Sequence, residues 1–138
     1  NSQFWAEFLT VIKNGGTWWK EKPAAKLFYA PYTFNSFPED LDAFTHEVVF
    51  GSNVNLRAGP STDSRVIAQL SYNIVTAETD PETEAGKIRE TRGWSKVKTL
   101  GGISGWIKNE FVRSPIDYRA GFEKKRGAWK MVAFIAGD

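Results

Sequence analysis

Cysteine is absent from all 138 residues, which excludes disulfides, thiolate nucleophiles and Cys-ligated metals, although it does not fix the compartment. Histidine occurs once, at His46, with no second His and no carboxylate cluster beside it to complete a metal site. Ser61, Ser64 and Ser95 have no base within motif distance, so a Ser/His/Asp triad would rest on His46 alone. No apolar run approaches the roughly 20 residues that a membrane helix needs, so no membrane insertion is expected. The pairs Gly15-Gly16 and Gly101-Gly102 lack the lysine and the spacing of a phosphate loop. Excess charge is lacking too: 18 basic against 16 acidic residues leave a net +2. Residues 1–69 carry 6 basic and 7 acidic residues and residues 70–138 carry 12 and 9, an asymmetry too small to imply a polyanion partner. The basic run Lys124-Lys125-Arg126 near Trp129 is weak support for nucleic acid, and none is expected. Cofactors are not expected either. The sequence starts at Asn1 without Met or a charged leader, so a processed or truncated form is expected, with any export signal out of view.

Aromatic residues are what the chain has in quantity. Six Trp, ten Phe and four Tyr make 14% of the sequence, enough for a core and for an aromatic part of the surface. In residues 3–13 Phe4, Phe8 and Val11 recur at helical spacing, with Trp5, Leu9 and Ile12 on the adjoining stripe. That pattern predicts an amphipathic helix, stopped by Asn14-Gly15-Gly16. Residues 23–45 set Pro23, Pro31 and Pro38 among many rings and read as an ordered aromatic strap with one helical turn at Glu39–Phe44.

From residue 46 the pattern becomes strand-like. Val54-Asn55-Leu56-Arg57 alternates with period two and ends on Gly59-Pro60, one permissive and the other unable to donate to a ladder. Val66, Ala68 and Leu70 alternate in the next run; residues 74–78, 93–99, 103–108 and 110–112 supply further short strands. Residues 79–93 hold the densest acids, with Glu78 and Asp80, Glu82, Glu84 and Glu90, and read as a solvated loop or hairpin. The tail predicts a hairpin turning at Arg126-Gly127.

Val54-Asn55-Leu56-Arg57 with Gly59-Pro60-Ser61, Val66-Ile67 with Leu70, Gly93-Trp94-Ser95-Lys96-Val97, Gly105-Trp106-Ile107 and Phe111-Val112 follow one another in an order and spacing that resembles the bacterial SH3 domain (SH3b) over about residues 50–113. The resemblance implies a mainly β fold: a small SH3-like barrel at 46–114, with the helix and strap of 1–45 and the hairpin of 115–138 packed on it as one unit. Asn73 stands where the family usually has Gly and is expected to take the left-handed turn position. Alternation and the family register point Leu56, Val66, Leu70, Val97, Trp106 and Ile107 inward.

The resemblance also implies a non-enzymatic binding or targeting module, exported to the periplasm or cell envelope, that recognises a peptidoglycan peptide or a similar extended ligand. The alternative is a protein-interaction subunit whose partner is another envelope protein or its own copy. Tyr32, Tyr72 and Trp94 are the expected ligand-contacting rings, with Arg57 as a polar anchor on the outward face of its strand.

Overall fold

The computed structural model describes residues 1–78, 90–91 and 93–137, with 90 and 91 described by their backbone alone. Asp80, Glu82 and Glu84 of the acidic loop lie outside the described residues, as does the side chain of Glu90. In chain order the elements are α1 (Ser2–Lys13), β1 (Thr17–Trp18), β2 (Leu27–Ala30), α2 (Thr33–Ser36), β3 (His46–Val49), β4 (Val54–Arg57), β5 (Val66–Leu70), β6 (Ile74–Ala77), β7 (Glu90–Thr91), β8 (Trp94–Thr99), β9 (Ser104–Lys108), β10 (Val112–Arg113), β11 (Arg119–Lys125) and β12 (Ala128–Ile135). They divide into two compact units, one of residues Asn1–Leu41 with Pro115–Asp138 and one of Asp42–Ser114.

The first unit joins the two ends of the chain. Its sheet runs β1-β2-β11-β12, so the N-terminal strap and the C-terminal hairpin share one antiparallel ladder. Helix α1 starts where the Asn1 Oδ1 accepts a hydrogen bond from the Phe4 N–H at 2.8 Å, satisfying one of the donors that a helix start leaves open. It buries Val11 against Ala30 and Ala120, with Phe8, Phe122 and Phe134 around them. Trp5 and Leu9 of the adjoining stripe remain exposed. Leu27–Ala30 is strand rather than irregular strap, because β11, pairing from Ala120 with Ala30 to Glu123 with Leu27, supplies a partner distant in sequence. The short helix is at Thr33–Ser36, and residues 39–44 form turns instead of the expected helical turn. At the hairpin tip Arg126 and Gly127 both have positive φ, 52° and 80°, as a two-residue primed turn requires.

The second unit is an SH3-like barrel, ordered β10-β3-β6-β8-β9-β4-β5 with β7 paired to β8. Its core gathers Val49, Val54, Leu56, Leu70, Val75, Val97 and Ile107. Two expected core residues are not in it. Val66 is 41% exposed, because the β4–β5 register shifts between Leu56 and Arg57 and skips Ile67. One extra residue reverses the facing of everything beyond it, so Ile67 packs on the core and Val66 faces out. Trp106 is only partly buried, since its neighbours Gly105 and Ile107 face inward and adjacent residues of a strand face opposite ways. The left-handed residue of the β5–β6 turn is Tyr72, with φ of 53°, not Asn73; the Asn73 Oδ1 instead accepts from the Ser71 N–H at 2.7 Å.

Candidate ligand-binding site

The outward faces of β4, β8 and β9 carry Asn55 and Arg57, Trp94 and Lys96, and Trp106 and Lys108, because the inward alternates are the core. Pairing places Trp94 opposite Lys108, and Lys96 and Arg57 on either side of Trp106. Cations therefore stand over rings: Lys108 Nζ lies 5.9 Å from the Trp94 ring centre and Lys96 Nζ 5.4 Å from that of Trp106.

At one end of this surface is a cavity of about 240 Å³, lined by Arg57, Trp94 and Lys108 with Asn53, Asn55 and Phe111 among others. Trp94 is buried and forms a wall rather than a mobile lip. Arg57 is held from below, its Nη1 donating to the Ser64 carbonyl at 2.8 Å, and Asn55 is oriented by the Gln69 Nε2 at 3.0 Å. Among the described residues no carboxylate lines the cavity, while a guanidinium and an ammonium do. That set offers a carboxylate two cationic donors, and offers an extended chain an apolar wall and side-chain amides.

Of the four expected ligand contacts, the cavity brings together Arg57 and Trp94. The Tyr72 ring is 55% exposed and does not line it; the residue is tied to the cavity by its backbone, whose N–H donates to the carbonyl of the lining Gly51 at 3.0 Å. Tyr32 belongs to the other unit, half-buried at the start of α2. Lys108, Asn53 and Asn55 were missed by sequence reasoning. The alternation that turns Arg57 outward also turns Asn55 outward, so that residue was open to inference. Lys108 matters because of its pairing with Trp94, which no local pattern reveals.

Ser95, Ser61 and His46 have structural contacts of their own. Ser95 is buried and donates to the Asn109 Oδ1 at 2.5 Å, and the Ser61 Oγ accepts from the Asp63 N–H at 3.1 Å. The His46 Nδ1 lies 2.9 Å from the Asp42 carbonyl and 3.0 Å from the Thr45 hydroxyl, inside its own turn. Glu78 takes a hydrogen bond from the Ser104 hydroxyl. Among the described residues no group of three or more His, Asp or Glu could hold a metal ion.

A short-stranded barrel with a cationic, ring-walled cleft is the build of a binding module. Residues 52–113 match the family model of the bacterial SH3 domain. Such domains are generally binding modules of the cell envelope and are typically non-catalytic. No curated protein and no solved structure matches the chain. Among the described residues no helix is long and apolar enough to cross a membrane.

Proposed function

We propose that the protein is a non-enzymatic module of the bacterial cell envelope whose cleft binds an extended peptide bearing a free carboxylate, such as a peptidoglycan peptide. The observation that carries this reading is the composition of the cleft: Arg57 and Lys108 beside the Trp94 wall, with no carboxylate among the described lining residues. A ligand carboxylate would sit between the two cations, and the ligand backbone would run past Trp94 toward the amides of Asn53 and Asn55. An exported location accords with such a ligand.

The test is a pulldown on purified sacculi beside one from envelope extract, using the full chain. Lys108→Ala and Asn55→Ala should each weaken sacculus binding by about 1–3 kcal/mol if they contact the ligand. Both are partly exposed, so melting should barely change. Tyr32→Ala and Tyr72→Ala test the two rings outside the cleft. Retention of an envelope protein with no affinity for sacculi would replace the peptide reading with a protein partner.

A further inference from the structure

The sheet of the first unit gathers cations and rings at one end. The β1–β2 and β11–β12 registers place Trp18 beside Phe28, Leu27 beside Glu123, and Lys124 beside Trp129. Segments about a hundred residues apart therefore meet there. The first supplies Lys20, Lys22 and Lys26, and the hairpin tip supplies Lys124, Lys125 and Arg126, all exposed. Among the described residues the acids Glu21 and Glu123 share this end, and Glu123 lies 3.8 Å from Lys125.

Between the cations stand rings that are uncovered. Trp18 is 55% and Trp129 50% exposed, with ring centres 5.9 Å apart, and both contact Phe28. Lys124 Nζ stands 5.9 Å from the Trp129 ring centre and Lys22 Nζ 5.6 Å from that of Trp19. An open hollow of about 500 Å³ beside them is lined by Trp18, Trp19, Lys20, Pro23, Lys26 and Leu27.

We infer that this end of the sheet is a peripheral docking surface for an anionic lipid bilayer. Indole rings settle at the boundary between headgroups and acyl chains, and lysines around them reach lipid phosphates. Among the described residues no amide, hydroxyl or carboxylate side chain lines the hollow. A sugar or a nucleobase would need such groups to be oriented, whereas a bilayer surface asks only for rings and positive charge. The contact is interfacial: nothing crosses the membrane.

The test uses the full chain with vesicles of phosphatidylcholine alone and vesicles in which part of it is replaced by phosphatidylglycerol. The parent should co-sediment with the anionic vesicles only, with a blue-shifted tryptophan emission, and added salt should release it. Trp18→Ala with Trp129→Ala should weaken this at least about tenfold, and Lys22→Glu with Lys124→Glu by a similar factor. Thermal melts of both double variants confirm that the fold is kept, as exposed sites allow. Trp5→Ala is the control, since Trp5 packs edge-on against Phe4, whose ring meets Phe134 at the opposite end of the sheet. A parent that stays in solution with anionic vesicles would overturn the inference. So would tryptophan-pair variants that bind like the parent, or a Trp5→Ala variant that loses binding equally.

Discussion

Arg57 stands opposite Trp106 where β4 meets β9, and Trp106 stands in turn opposite Lys96 of β8. The residue beside each of them in sequence, Leu56, Ile107 and Val97, is fully buried. One row across three strands thus faces outward while its immediate neighbours make the core. The barrel holds its cleft rigid because the same three strands do both.

The core assignment predicts a steep contrast within one strand pair. Leu56→Ala should destabilise the protein by about 2–5 kcal/mol, since the side chain is wholly enclosed and its removal leaves a cavity. Val66→Ala should change stability by less than about 1 kcal/mol, because the β4–β5 bulge has turned Val66 to solvent. Urea melts of the two variants read the difference. Equal losses would mean that the bulge is misplaced.

Much of the barrel was legible because half-buried strands write a period of two. Val54-Asn55-Leu56-Arg57 announces both its strand character and its outward face in that way, and the Trp-containing strands β8 and β9 announce their strand character, although Trp106 was expected inward and faces out. The bulge at Ile67 was not legible, since it exists only relative to the partner strand. Strand β2 was hidden for a related reason: Leu27-Phe28-Tyr29-Ala30 is apolar on both faces, and its partner β11 is distant in sequence. In the cleft, Arg57 followed from alternation and Trp94 from the preference of extended ligands for rings, whereas Lys108 follows only from the register.

Gly105 predicts a second sensitive point. A Cβ there would meet the Leu56 Cγ at 2.8 Å, the Arg57 carbonyl oxygen at 2.9 Å and the Ile67 Cδ1 at 2.9 Å. One of these is backbone and two belong to packed side chains, so little can yield. Gly105→Ala should therefore cost about 1–3 kcal/mol, seen as a lower melting temperature, although alanine is the smallest possible addition.

Tyr72 predicts the opposite sign. Its φ of 53° is a conformation that a side chain disfavours by roughly 1–2 kcal/mol and that glycine adopts freely. The ring is largely exposed, so little packing is lost with it. Tyr72→Gly should raise stability by about 1 kcal/mol or leave it unchanged after the greater freedom of the unfolded glycine is counted. A loss above about 1 kcal/mol would give the ring a structural role that its exposure does not suggest.

Truncation tests the joined ends. Removing residues 1–20 takes Val11 from its contact with Ala30 and Ala120, and removing 115–138 takes Ala120 and both hairpin strands. Either deletion should destabilise or precipitate the protein by leaving Phe8, Phe122 or their neighbours in water. We hold the flanks and the barrel to be one working unit. A single cooperative calorimetric transition supports that proposal, and a 46–114 fragment that melts like the full chain would end it.

His46 is held within its own turn. Its Nδ1 sits within reach of the Asp42 carbonyl and the Thr45 hydroxyl, contacts that tie down the turn entering β3. A general base needs a nucleophile within hydrogen-bond reach, but the Ser95 hydroxyl is buried and directed to Asn109. Zymograms on purified cell walls and a panel of ester and peptide substrates should therefore show no turnover. His46→Ala should loosen the turn with a modest loss of stability, on the order of 1 kcal/mol, and leave sacculus binding intact. Turnover that the parent shows and His46→Ala abolishes would make this protein a hydrolase and His46 its base.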